Sequence, residues 1–254
     1  MYGANVVRRS RYLPGEYGGG GFQNNLCLNF DGIDDCVTMG DVLDKTVTDH
    51  FSVFCWVNTV SVVASYLVSK QTTVGGQEGY SISINANRIW VTLRGAGGQI
   101  LLRGFNTFPK SDGNNHSIGI TYDGSSTAAG TIIYLDGVVE NRTVLVNALA
   151  GAMGNTSPFL ISSIFRAAPA VSPLAGLMKD VSIWSTDLTP GEVTELHNGG
   201  APGNLLAHSQ AGNLEGWWRL GDGVGDGFAT IMDQVGGNHG TMTAMAADDF
   251  VAWP

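Results

Sequence analysis

Acidic residues concentrate in one short stretch of the sequence, LNFDGIDDCVTMG, which runs from Leu28 to Gly40. Asp31, Asp34 and Asp35 fall within five residues of chain there. Three carboxylates at that spacing can supply part of the roughly six to eight oxygen ligands that Ca²⁺ takes. The same residues suit a plain turn between two strands, because Asp accepts hydrogen bonds from nearby backbone N–H groups and Gly adopts positive φ angles. The pattern leaves both interpretations open.

Paired carboxylates can also cleave a glycosidic bond, one acting as nucleophile or base and the other as acid. The chain has only six glutamates, and the nearest two, Glu192 and Glu195, lie in a predicted helix rather than on a strand. Asp34 and Asp35 are adjacent, so in an extended chain they point to opposite faces. We therefore expect no catalytic residues and no enzyme. A glycan-processing hydrolase with unconventional Asp catalysts is the alternative.

Two adjacent tryptophans, Trp217 and Trp218, are a second candidate site. In a strand, one of them faces the core and the other faces outward. An outward indole can stack on the C–H face of a sugar ring, or it can lie in a subunit interface. These residues therefore predict a glycan or interface contact.

The composition limits the classes of partner. The chain has 254 residues, 43% of them hydrophobic, and a formal net charge of −9. Nucleic-acid binding needs clustered Lys and Arg, so this acidic balance argues against it. No apolar run approaches the roughly 20 residues of a membrane span. Cys27, Cys36 and Cys55 form no metal or disulfide pattern, so we expect buried, reduced thiols.

The elements that must position these residues are almost all strands. Residues 1–25 are predicted to form a flexible arm, because they contain a four-glycine run. The arm also contains a basic segment, VVRRSRY, which could dock on a neighbouring subunit. Short alternating runs follow, as in an antiparallel sandwich. One short helix is predicted, with Thr189 as N-cap, Glu192 closing a capping box, and Gly199 or Gly200 ending it. The positions expected to be buried are Leu28, Phe30, Val37, Trp56, Ile120 and Ile183.

Five segments now occur in a recognisable order: LNFDGIDDCVTMG, FSVFCWV, HSIGITYDG, IIYLDGVV and LAGLMKDVSIWSTDLTPGEVTELHNGG. Together they resemble the laminin-G-like branch of the concanavalin A-like lectin/glucanase superfamily, over residues 26–200. The resemblance implies an all-β antiparallel jelly-roll sandwich with one short helix. It also implies that acidic side chains at a sheet rim sometimes hold calcium, with Asp180 as a further ligand beside Asp31, Asp34 and Asp35. Cys36, Asn115 and Lys179 depart from the family pattern, and Lys179 replaces an acid, which favours the plain turn.

The segment 201–254 is out of its usual place. A similar segment precedes the FDG strand in many such domains, whereas here it follows the helix. Three arrangements remain open: a circularly permuted domain, a truncated second unit, or a strand set that completes a neighbouring subunit. In the permuted domain the segment pairs with the region from Leu26 to Phe30 of its own chain, and in the last arrangement it pairs with that region of a neighbouring subunit. Chains in which WWRLGDG and DQVGGNHGTMT trail such a domain resemble bacteriophage structural proteins.

These expectations combine into one functional hypothesis. We expect a non-catalytic, lectin-like surface module of a phage virion, as a capsid decoration or a tail-associated protein. We expect three partners: virion subunits, on which the arm would dock, cell-surface glycans, and a second copy of the chain. We expect no binding to nucleic acid or membrane. Without a visible signal peptide, we expect it at a virion or extracellular surface. A purely architectural protein is the further alternative.

Overall fold

The computed structural model describes residues 22–71, 75–104, 111–165 and 172–254, and its regular structure is almost entirely β. In chain order its first strands are β1 (Leu26–Asp31), β2 (Cys36–Thr38), β3 (His50–Asn58), β4 (Ser65–Gln71), β5 (Gly79–Asn85), β6 (Arg88–Gly95), β7 (Gly98–Gly104), β8 (Asn115–Asp123) and β9 (Thr131–Leu135). The others are β10 (Val138–Val139), β11 (Arg142–Asn147), β12 (Leu160–Ile161), β13 (Ala175–Trp184), β14 (Leu214–Trp218), β15 (Thr230–Ile231), β16 (Gly240–Thr243) and β17 (Phe250–Ala252). The α-helix α1 spans Pro190–His197.

The strands form two antiparallel sheets. The first sheet has eight strands in the order β10-β9-β8-β3-β13-β1-β17, with β14 also paired to β13. The second has nine, in the order β11-β7-β6-β5-β4-β12-β2-β16-β15. Apolar side chains of both sheets meet in one core. The architecture is therefore the predicted concanavalin A-like sandwich with one short helix.

The core lies where strand alternation predicts it. All six positions expected to be buried are at most 1% exposed, so that prediction is confirmed. Five of them pack between the two sheets. Trp56 instead belongs to a second cluster on the far side of the first sheet, under α1. Strand β3 is buried on both faces because it separates these two clusters.

The C-terminal segment contributes to both sheets of the same chain. Strand β17 pairs with β1, with Leu26 opposite Ala252 and Leu28 opposite Phe250. Strand β14 pairs with β13, and β16 pairs with β2. The pairing expected with the region from Leu26 to Phe30 is thus made by the last residues of the chain, in β17.

Helix α1 begins as its sequence predicts. The Thr189 side chain accepts a hydrogen bond from the backbone N–H of Glu192, and the Glu192 carboxylate accepts one from that of Thr189. The end differs from the expectation, because Asn198, not a glycine, is the left-handed C-cap. Asn tolerates that conformation by bonding locally, and here its side chain donates to the Ala201 carbonyl. None of the described helices is long and apolar enough to cross a membrane.

The N-terminal arm expected over residues 1–25 falls largely outside the described residues, which begin at Phe22. The three cysteines are free and buried. Burial raises the pKa of the Cys55 thiol to about 12, so that thiol is protonated and unreactive at neutral pH.

Candidate functional site

The acidic turn between β1 and β2 brings three carboxylates together. Ligand oxygens of Asp31, Asp34 and Asp35 lie within 4.8 Å of one another. Two of these carboxylates also build the turn itself. Asp31 Oδ1 accepts hydrogen bonds from the N–H groups of Ile33 at 2.7 Å and Asp34 at 3.4 Å. Asp35 Oδ2 accepts one from the Asp31 N–H at 2.9 Å.

Gly32 is required at the centre of this turn. Its φ is +78°, and a Cβ there would lie 2.7 Å from the Cβ of Ala175. Asp35 closes the turn from a buried position. Burial raises the pKa of Asp35, and the charges of Asp31 and Asp34 raise it further, while the bond from the Asp31 N–H lowers it. The turn interpretation therefore accounts for the geometry, and the cluster still offers unused oxygen atoms.

Asp180 does not join the acidic cluster. Strand β1 runs antiparallel to β13 with Asp31 opposite Ala175 and Leu28 opposite Met178, so Asp180 lies toward the other end of β1. Its buried carboxylate accepts hydrogen bonds from Trp217 Nε1 at 2.8 Å and from Asn24 Nδ2 at 2.6 Å. Burial raises its pKa. Asp180 thus anchors Trp217 rather than extending the acidic cluster.

Trp217 and Trp218 point to opposite sides of their strand, as alternation predicts, but both are buried, at 2% and 0% exposure. Trp218 stacks on Phe159 in the core between the sheets. Trp217 is covered by the ring of Phe22, 6.1 Å away, and by the guanidinium of Arg219, 5.5 Å away. Neither indole presents the open face that a stacking sugar needs, so the expectation of a glycan contact there needs correction.

The second sheet instead carries an accessible aromatic ring on its outer side. On β6, the side chains of Ile89, Val91 and Leu93 are buried in the core. Successive side chains of a strand point to opposite faces, so those of Trp90 and Arg94 point away from the core. Both are partly exposed.

Strand register places polar partners beside this ring. Ser83 on β5 and Arg103 on β7 are directly opposite Trp90. The Arg103 guanidinium lies 5.7 Å from the Trp90 ring centroid. We call the surface formed by Ser83, Trp90, Thr92, Arg94 and Arg103 the Trp90 face.

The Trp90 face is open on one side and closed on the other. Toward β4, Ser69 and Ser81 are buried even though they point outward. The Ser69 hydroxyl donates to the Ser163 carbonyl, and the Ser81 hydroxyl donates to Gln71 Oε1. The accessible part therefore lies over β6 and β7.

Sequence reasoning missed this face, although one signal was present. In RIWVTLRG, apolar residues alternate with others, and a tryptophan occupies the phase that otherwise holds Arg and Thr. A large aromatic residue on the polar phase of a strand indicates a contact surface, since partly exposed aromatic residues are enriched at binding sites.

The comparisons with known proteins agree with the fold. Residues 31–194 match a laminin-G family model described as "Concanavalin A-like lectin/glucanases superfamily". The match covers more than half of the chain, and the protein belongs to this family. No curated protein matches the sequence.

Two solved structures are similar to this chain. One is a Bacteroides ovatus protein provisionally described as carbohydrate binding, with a TM-score of 0.61 and 16% identity; the match covers 89% of this chain and 60% of that one. The other is a heptameric SAP-like pentraxin from Limulus polyphemus, with a TM-score of 0.52 and 13% identity, covering 71% of this chain and 87% of that one. At these identities the likeness concerns the fold. The chain spans about three fifths of the length of the Bacteroides ovatus protein.

Proposed function

We propose that this protein is a non-catalytic carbohydrate-binding module and that it binds saccharide at the Trp90 face. The observation that carries the proposal is the partly exposed indole of Trp90, flanked by the side chains of Ser83 and Arg103. An indole gives a flat apolar surface for the C–H face of a sugar ring, and flanking donors fix the sugar hydroxyls. The similarity in fold to a protein described as carbohydrate binding supports this reading.

The same face lacks the groups for glycoside hydrolysis. That reaction uses two carboxylic side chains on either side of the scissile bond. Strands β4, β5, β6 and β7 contain no Asp or Glu. A saccharide on the Trp90 face would therefore meet no strand carboxylate able to protonate or attack its glycosidic bond.

Replacement of the ring tests the proposal. We expect Trp90→Ala to abolish binding on a glycan array and in calorimetric titrations, and Trp90→Phe to keep part of it. Phe228→Ala is the matched control, because Phe228 is an exposed aromatic residue, 60% accessible, in the loop after β14. Melting temperatures of all variants show whether they are folded. Binding by Trp90→Ala as tight as that of the wild type would refute the assignment, and release of reducing sugar by the wild type would refute the non-catalytic role.

The proposal extends to a place on a phage virion, as capsid decoration or tail-associated protein. Its support is the resemblance of the trailing segments WWRLGDG and DQVGGNHGTMT to phage structural proteins. The basic segment within residues 1–25, which would dock on an acidic neighbouring subunit, lies outside the described residues. Sedimentation of the tagged protein with virus particles, lost on removal of residues 1–21, is the expected result. A protein found only free of particles would contradict it.

A second copy of the chain is the proposed homotypic partner. Strands β10 and β11 end the two sheets, and they expose Val138, Val139, Val144 and Leu145. Unpaired edge strands with apolar side chains favour pairing with another chain. Light scattering should give a mass above that of the monomer, and Val139→Lys should reduce it to the monomer mass.

Calcium is the cofactor proposed for the acidic turn. Of its carboxylate oxygens, Asp31 Oδ2, Asp35 Oδ1 and both oxygens of Asp34 accept no hydrogen bond from the described residues. Hard anionic oxygens suit Ca²⁺, which would need carbonyl oxygens or water to complete its shell. Bound there, it would neutralise the repulsion among the three carboxylates.

A further inference from the structure

Charge is distributed unevenly between the two sheets. The chain carries 22 acidic residues and a net charge of −9. Yet the nine strands of the second sheet contain no Asp or Glu, whereas they hold one Lys and four Arg. Lys70 is buried and paired with Asp41 and Asp44. The partly exposed cations of this sheet are therefore its arginines.

Two of these arginines lie on the Trp90 face without a carboxylate partner. Arg94 Nε donates to the Gly76 carbonyl at 3.0 Å and its Nη1 donates to Gln99 Oε1 at 3.2 Å. Arg103 packs against Trp90, and its Nε has no hydrogen-bond partner among the described residues. None of the ion pairs found in the described part of the chain involves either residue. Both guanidinium groups thus retain unneutralised charge.

We propose that the saccharide bound at the Trp90 face is anionic, carrying a carboxylate or sulfate group that the guanidinium groups of Arg103 and Arg94 bind. This inference rests on the proposed function and specifies its ligand class. A planar guanidinium can donate two parallel hydrogen bonds to a carboxylate or sulfate, which gives orientation as well as affinity. A neutral glycan would leave both charges unused.

The positions of the three side chains suit an extended anionic polymer. The Arg103 guanidinium lies over the Trp90 ring, so a sugar that stacks on that face of the indole displaces it, and the displaced guanidinium can then bind the sugar's anionic group. Engaging it costs the Arg103–Trp90 contact, which is weak at an exposed site. Arg94 follows four residues along β6, about 13 Å away at the usual strand rise. One sugar unit cannot reach both arginines, so a polymer with repeating charges is favoured over a monosaccharide.

Two pairs of polymers, each pair sharing one backbone, separate the effect of charge from that of shape. Polygalacturonate and its fully methyl-esterified form differ in the carboxylate charge, and a sulfated galactan with its desulfated form tests the sulfate. We expect each charged polymer to bind at least tenfold more tightly than its neutral form, with an affinity that falls as salt rises. Arg103→Gln and Arg94→Gln should each weaken charged-polymer binding about tenfold, a larger fold-change than for the matching neutral polymer, because Gln keeps a hydrogen-bond donor and loses only the charge. Arg103→Lys should retain the salt dependence.

Val224→Glu is the charge control. It changes the net charge by the same one unit as each Arg→Gln change, at a side chain that is 83% exposed, in the loop before β15 at the opposite edge of the sheet from β11. We expect it to leave both affinities unchanged.

The outcomes distinguish the two proposals. Equal binding of charged and neutral polymers, still lost in Trp90→Ala, would overturn the anionic ligand and keep the carbohydrate-binding function. Absence of binding to all four polymers and to a glycan array would overturn both. Competition by a single-stranded oligonucleotide for the same site would overturn the anionic saccharide in favour of nucleic acid.

Discussion

A buried ion pair ties the C-terminal segment to the sandwich, and its removal gives a sharp test of the structure. Lys179 Nζ, on β13, lies 3.3 Å from Asp222 Oδ2, and the Lys179 side chain is fully buried. The same Asp222 oxygen accepts a hydrogen bond from the Leu26 N–H at 2.6 Å. Asp222 therefore connects the segment after β14 to both β13 and the start of β1.

Asp222→Asn keeps the shape of the side chain and removes its charge. It leaves the Lys179 ammonium buried without this partner, which costs about 3 to 5 kcal/mol. In a chain of this length 1 kcal/mol corresponds to roughly 2 to 4 °C, so the melting temperature should fall by about 6 to 20 °C. Lys179→Met removes the cation and preserves the packing, and the double variant Lys179→Met/Asp222→Asn should recover most of the loss.

The pH dependence has a definite sign. Burial lowers the pKa of Lys179, while Asp180 and Asp222 act to raise it. Between that lowered pKa and the ordinary Lys pKa, the unfolded state binds more protons than the folded state, so stability rises with pH in this window. Asp222→Asn removes a group that raises the pKa of Lys179, so the pKa of Lys179 in the folded variant falls further and the pH range over which stability rises extends to lower pH. The destabilisation by Asp222→Asn should therefore shrink as pH rises.

Urea unfolding followed by tryptophan fluorescence at pH 7 and pH 9.5 measures both effects. Asp222→Asn within 1 kcal/mol of the wild type at pH 7 would refute the buried pair. So would a double variant whose loss equals the sum of the two single losses, because the two residues would then not interact.

Four further results are expected. Phe30→Ala should lower the free energy of unfolding by about 3 to 5 kcal/mol, as for a core Phe, in urea titrations; a loss under 1 kcal/mol would contradict its core position. If the acidic turn binds calcium, Ca²⁺ should raise the melting temperature of the wild type but not that of Asp34→Asn, a change that leaves the hydrogen bonds of the turn intact. A wild type whose melting temperature does not respond to Ca²⁺ would show that the turn has only a structural role. The hydrogen bond to Asp136 is the main cause of the raised pKa of His116. The stability that this pair contributes is therefore complete below the ordinary His pKa and is lost as pH rises through the raised pKa. In melting curves recorded over a pH series, His116→Gln should remove this fall in melting temperature. Deletion of residues 250–254 exposes the edge of β1 and should cause aggregation in light scattering; a soluble chain of unchanged stability would contradict the pairing.

The predictable parts of the fold are those with local causes. Strand β1 shows apolar residues at alternate positions, and the capping box of α1 is contained within Thr189 and Glu192. Strand β4 cannot be predicted from local alternation, because its buried positions include polar groups such as Lys70, whose charge is paired with Asp41 from another part of the chain. Strand β11 cannot be predicted in this way either, because it is a partly exposed edge strand and burial imposes no alternation on it.

The position of Trp217 shows why one tryptophan was misjudged. Alternation correctly places Trp217 and Trp218 on opposite sides of β14, but it does not reveal what lies over the outer side. Phe22 and Arg219 cover Trp217, and Phe22 is 195 residues away in the sequence. Burial by a distant segment leaves no local pattern, so exposure of a strand residue cannot be inferred from its phase alone.

The Trp90 face, by contrast, follows from counting across two tight hairpins. Strands β5 and β6 are joined by Ala86 and Asn87, both at positive φ, as in a two-residue turn that matches strand twist. That turn pairs Asn85 with Arg88 and therefore places Ser83 opposite Trp90. The next turn pairs Gly95 with Gly98, which by the same count places Arg103 opposite Trp90. Because hairpin length fixes register, local sequence alone brings the Ser83 hydroxyl, the Trp90 indole and the Arg103 guanidinium into one row. A one-residue insertion in either turn should separate these side chains and abolish saccharide binding. The core residues of β6 should stay in place.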